Sequence, residues 1–140
     1  DSPKDPEHHF EPKSILGKIE AGADFFQTQF VYDLGLVKRY MARLDDLGIL
    51  EKTYFIVGVG PLASANSARW MNANLFGVNV PQAVIARLEV AEDQAREGRR
   101  ICAEIIEGLQ EIRGIGGAHI MAPQGVNAIL ALFAEHRLRR

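Results

Sequence analysis

Three short runs of aromatic, β-branched or small apolar residues alternate with stretches of helical periodicity. They lie at 24–32, at 53–59 (TYFIVGV) and at 117–122 (GAHIMA). Between them, Val37, Tyr40, Met41, Leu44 and Leu47 recur at helical spacing, with charged residues on the other side and Gly48 as a stop. A helix is expected over 12–21, where Ile15, Leu16 and Ile19 share a side, Pro12 suits the first turn and Gly22 ends it. Ser64 is placed to cap a helix over 65–75. Pro81 opens a further helical region that residues 91–112 continue, and a last helix is expected over 126–136. Strands alternating with helices imply right-handed βαβ units and a parallel sheet. Three strands alone leave the sheet with open edges. The expected fold class is therefore α/β, a partial (β/α)8 barrel holding the last three βα units, over a single domain spanning 1–140.

The first run, AGADFFQTQFVYD (21–33), carries an oddity. Strand side chains alternate sides, so Phe25, Gln27, Gln29 and Val31 share one face and Phe26, Thr28, Phe30 and Tyr32 the other. In a (β/α)8 barrel one strand face meets the helices and the other points inward, with active sites at the C-terminal end. Phe26 and Phe30 suit the helix side. Gln27 and Gln29 suit the inward side, with Gln29 nearer the mouth. An amide there can both donate to and accept from a heterocyclic ligand. The structural alternative is a glutamine pair satisfied by its neighbours or by water.

Several function classes lose support at this stage. Sixteen basic residues against eighteen acidic ones give no bias toward nucleic acid. No apolar run approaches the ~18 residues of a membrane span, and no signal peptide is evident. The lone cysteine, Cys102, excludes a disulfide framework and reads as a buried thiol. A soluble, reducing, cytoplasmic setting is expected. A start at Asp1 hints at a processed or partial sequence. His8 and His9 are adjacent, point apart in most backbones and have no partner cluster with metal spacing. Gly58-x-Gly60 lacks the third glycine and the acidic residue of a dinucleotide fold. His119 is read as a core histidine bonded to a neighbour, and Arg99-Arg100 as a solvated, i,i+4-paired face.

Taken in order, the blocks resemble the methylenetetrahydrofolate reductase family. KIEAGADFFQTQFVYD (18–33) is similar to its sixth strand region, K-x-x-A-G-A-x-x-x-x-T-Q-x-x-x-D. GVGPLASANSARWM (58–71) is similar to its seventh strand exit, and GAHIMA to its eighth strand, with a His in the same place. The resemblance implies a flavin-dependent barrel. Its reaction reduces 5,10-methylenetetrahydrofolate to 5-methyltetrahydrofolate with FAD and NADH or NADPH, in one-carbon metabolism and methionine biosynthesis. By this resemblance Gln29 matches a glutamine that contacts folate and nicotinamide, and Lys18 a lysine on the FAD. Glu11 falls where the family has an aspartate on the FAD, and His9 where a P-E-x-H segment has its FAD-contacting His.

Other positions depart from the family pattern. Ser14 and Gly17 stand where related sequences carry Asn and Arg for the flavin, and Ser67 where a substrate-binding Gln occurs. Met71 replaces an aromatic that stacks on ligand, with Trp70 adjacent to take over. No Arg lies near Gly125 to meet the substrate. A complete barrel takes ~250 residues, so strands one to five, with the family's glutamate general acid, are not in this chain. No catalytic residue is assigned. The expected partner, besides the folate substrate, is a second copy or the N-terminal half of the barrel. The alternative is a non-catalytic truncated barrel that associates with another chain. A Schiff-base aldolase or pterin-using synthase would need Lys18 inside the barrel, whereas Lys18 falls on a helix before the strand.

Overall fold

All three expected strands form, and they run parallel in the order β1-β2-β3. The computed structural model describes residues 12–138. Helix α1 (Lys13–Glu20) leads to β1 (Phe25–Phe30), α2 (Leu34–Asp46), a single 3-10 turn (Ile49–Glu51) and β2 (Tyr54–Val59). Then come α3 (Ala65–Asn74), α4 (Gln82–Glu89), α5 (Gln94–Leu109), β3 (Ile115–Ile120) and α6 (Val126–Glu135). Three helix starts, those of α2, α3 and α5, are fixed by side-chain caps. Asp33 and Asp93 accept backbone N–H bonds from Leu36 and Arg96, and Ser64 and Ser67 close a reciprocal capping box on α3.

The two faces of the sheet differ. Phe30, Phe55, Val57 and Val59 are buried beneath the helices, together with Ile101, Cys102, Ile105 and Leu109 of α5. Phe26 stacks on Phe55 at 5.2 Å, and Tyr40 meets Phe55 edge-on. Burial pushes the Cys102 thiol and the Tyr40 phenol each up to about 12, so Cys102 is an inert core thiol. Among the described residues the opposite face is open. It carries Gln27, Gln29, Gly117 and His119, and a stacked Phe25–Tyr54 pair that is 47% and 45% exposed. Helices on one side of a parallel sheet and an open second side are the geometry of a barrel segment.

Three local differences from the sequence reading have clear causes. The helical region after Pro81 splits at 90–93 into α4 and α5, because the Asp93 carboxylate takes the Arg96 N–H and so starts a new helix. Strand β3 begins at Ile115 rather than Gly117. Gly114, at φ 86°, turns the chain there, and the Phe55 N–H bonds its carbonyl at 2.8 Å. Arg99 is not solvated. It grips Glu135 of α6 through two hydrogen bonds of 2.8 Å, while Arg100 does pair i,i+4 with Glu104.

Helix α5 lies so close to the turn after β2 that a Cβ on Gly98 would run into the Leu62 backbone carbonyl. Gly98→Ala should therefore destabilise. Overpacking against backbone costs about 3 kcal/mol, which outweighs the ~1 kcal/mol gained in helix propensity. Gly17 of α1 has open space around its Cβ position, so Gly17→Ala should stabilise by about 0.5–1 kcal/mol. Urea unfolding of both variants checks the opposite signs.

Arg87 ties α4 to α5 through Glu97 and Glu104, as Arg99 ties α5 to α6. Hydrogen bonds from these guanidinium groups hold the Glu104 and Glu135 carboxyls below the usual carboxylate range. Their stabilisation is complete above the ordinary carboxyl value of about 4.3 and is lost as pH falls through the lowered values. Both pairs are partly exposed, so each contributes about 0.5 kcal/mol. The thermal midpoint should be flat from neutral pH to about pH 5 and fall below it. Arg99→Ala should flatten part of that fall.

Candidate functional site

The C-terminal ends of β1 and β2 meet at an irregularity centred on the Thr28-Gln29 dipeptide. Pairing runs Phe25↔Tyr54, Phe26↔Phe55 and Gln27↔Ile56, then slips to Phe30↔Gly58. Such a bulge leaves backbone groups without ladder partners and re-aims side chains. Here side chains satisfy them. The Gly58 N–H donates to Thr28 Oγ1 at 2.9 Å, and the Thr28 hydroxyl donates to the Gln29 carbonyl at 2.8 Å. The Phe30 N–H donates to Gln29 Oε1 at 3.0 Å. The ladder resumes with the Val31 N–H on the Gly58 carbonyl. Gln29 thus spends its amide oxygen internally and keeps its Nε2 donors on the exposed face.

Gly58 is required by the same bulge. A Cβ there would come within 2.8 Å of the Thr28 and Gln29 carbonyl oxygens and of Met121 Cε. Two residues beyond the Phe30↔Gly58 pair, the Tyr32 hydroxyl donates to the Gly60 carbonyl at 3.2 Å and locks the two strand exits together. Burial raises this phenol well above its usual range, with Cys102 adding to the shift. On the open face, Gln27 Nε2 donates to His119 Nδ1 at 2.5 Å. The mouth therefore has a rigid backbone frame and a polar face made of two amides and an imidazole.

The methylenetetrahydrofolate reductase family model matches residues 2–136. The chain belongs to this family. Among solved structures, an uncharacterized protein from Clostridium thermocellum that binds two copies of 5-methyl-5,6,7,8-tetrahydrofolic acid is similar, with a TM-score of 0.62 and 21% identity. The match covers 86% of this chain and 45% of that one, so the chain spans less than half the length of that structure. At this identity the likeness is one of fold. A comparison with curated proteins finds no match.

In this reductase-family chain the sequence-derived site residues fall into separate places. Gln29 lies at the bulge, on the open face. Ser14 and Lys18 sit one turn apart on the exposed side of α1, an element distinct from that strand face. Ser67 is engaged as the α3 capping partner, accepting the Ser64 N–H and donating to the Ser64 carbonyl. Trp70 is 57% exposed, whereas Met71 packs against the core. His9 and Glu11 lie outside the described residues. The residues that sequence reasoning undervalued are Thr28, whose hydroxyl completes the bulge, and His119, which lies on the open face rather than in the core. The alternation of GAHIMA offered a signal, since it puts Gly117 and His119 on one side together. Among the described residues no group of His, Cys, Asp and Glu could hold a metal ion, and no helix is long and apolar enough to cross a membrane.

Thr28→Val keeps the shape of the side chain but leaves the buried Gly58 N–H without its acceptor. The expected loss is about 1–3 kcal/mol, read as a lower urea midpoint. Thr28→Ser, which keeps the hydroxyl, should lose much less.

Proposed function

We propose that this chain supplies the last three βα units of a flavin-dependent barrel that reduces 5,10-methylenetetrahydrofolate with NADH or NADPH. The observation that carries the reading is the Thr28-Gln29 bulge at the mouth of a chain that belongs to the methylenetetrahydrofolate reductase family. Its structural neighbour, a protein that binds 5-methyl-5,6,7,8-tetrahydrofolic acid, supports a folate ligand. Gln29 offers its Nε2 donors to the acceptor edge of a pterin ring, and Trp70 offers an exposed aromatic plane. Ser14 and Lys18 offer a hydroxyl and an ammonium on one face of α1, a donor set that suits the phosphates or ribose of FAD. Bound FAD supplies two-electron transfer between nicotinamide and folate. The catalytic acid and the remaining flavin contacts belong to the first half of the barrel.

The edges of β1 and β3, open among the described residues, favour a second reading, a non-catalytic half barrel covered by another chain. The stacked, half-exposed Phe25–Tyr54 pair would then form part of the covered face. Folate-dependent oxidation of NADH or NADPH by the complete protein separates the two readings. On the reductase reading, Gln29→Ala should lower folate-dependent turnover at least tenfold, about the cost of one lost hydrogen bond to a ligand. FAD content should change little. Equal loss of both would make Gln29 structural only.

A further inference from the structure

The bond between Gln27 and His119 spans two strands that are not neighbours. Strand β2 lies between β1 and β3, and at about 4.8 Å per strand the outer two are ~10 Å apart. Gln27 is in register with Ile56 and Gly117, while His119 is in register with Gly58. At the level of His119 the middle strand thus carries no side chain, and the bridge passes over that gap. A side-chain pair held at 2.5 Å on an exposed face spends rotamer freedom that water would otherwise preserve. With Nδ1 accepting from Gln27, the neutral ring carries its proton on Nε2. That N–H joins the Gln29 amide as a second fixed donor on the open face.

We infer that Gln27 is a positioning residue that sets the tautomer and orientation of His119. We further infer that His119 Nε2 donates to a carbonyl or ring nitrogen of a planar pyrimidinone heterocycle bound at the mouth. A pterin ring and a flavin ring share that acceptor chemistry. The inference rests on the reductase reading for the identity of the ligand. It adds two residues to the mouth, since Gln27 precedes the Thr28-Gln29 bulge and takes no part in it.

The test uses the complete protein and its Gln27→Ala, His119→Ala and doubly substituted forms. It measures FAD content, the dissociation constant for 5-methyltetrahydrofolate by calorimetry, and the His119 ring nitrogen shifts by NMR. His119→Ala should weaken one heterocycle about tenfold, the effect of one hydrogen bond. A selective loss of folate affinity assigns the pterin, and a selective loss of FAD assigns the flavin. Gln27→Ala should weaken the same ligand by about threefold and move the ring toward the other tautomer. The double variant should equal His119→Ala, because Gln27 acts through the imidazole. Unchanged affinity for both ligands in a folded His119→Ala protein overturns the inference, as do additive losses. Gln27→Ala carries the test if His119→Ala does not fold, and an unchanged tautomer or unchanged affinity then overturns it. Wild-type protein that binds neither ligand overturns the reductase reading itself, a result distinct from any of these.

Discussion

Among the described residues, the structure depends on a parallel sheet that is covered on one side only. Parallel strands need crossover connections, and the crossovers place helices over the sheet. In this chain the helices bury Phe30, Phe55, Val57 and Val59 and leave Gln27, Gln29 and His119 uncovered. Strand β2 is the hub, since it is the middle strand and its register with both neighbours sets the heights of all three side chains. The open face is thus both the incomplete part of the fold and the part that carries polar chemistry. A closed barrel resolves both, by pairing the edges of β1 and β3 and by enclosing the polar face.

The Thr28-Gln29 dipeptide shows how one motif can serve stability and binding together. A bulge at the end of a ladder strands two backbone N–H groups, and Thr28 and Gln29 each take one. The Gln29 amide is anchored through its oxygen and presents its nitrogen, so the cost of ordering a long side chain is met by the fold rather than by the ligand. Gly58 belongs to the same device, because any side chain there would collide with the bulged carbonyls. These three residues of the mouth are therefore coupled, and changes to Thr28, Gln29 or Gly58 should not be independent.

Much of the fold was legible because its signals are local. Aromatic and β-branched runs marked β1 and β2, and the apolar stripe of α2 with Gly48 at φ 70° ended as expected. The failures were also physical. The α4–α5 break turns on one aspartate side chain competing for a backbone N–H. The early start of β3 was hidden by Gly116 and Gly117, which have little strand propensity of their own. Arg99 found its partner 36 residues away in α6, a distance no helical spacing rule reaches. For the candidate site, the position of Gln29 was readable from alternation, but its internal bond to Phe30 was not.

What the sequence determined by itself is the alternation of elements, the sidedness of β1 and the family resemblance, because each rests on residues close together in the chain. What only the tertiary structure decided is register. A slip of one pairing between β1 and β2 puts Thr28 on Gly58 and leaves the Gln29 amide nitrogen on the open face, while the register of β2 with β3 sets His119 level with Gly58, within reach of Gln27, 92 residues away. Register is set by the summed packing of both sheet neighbours and the helices beneath them. No short stretch of sequence contains that sum.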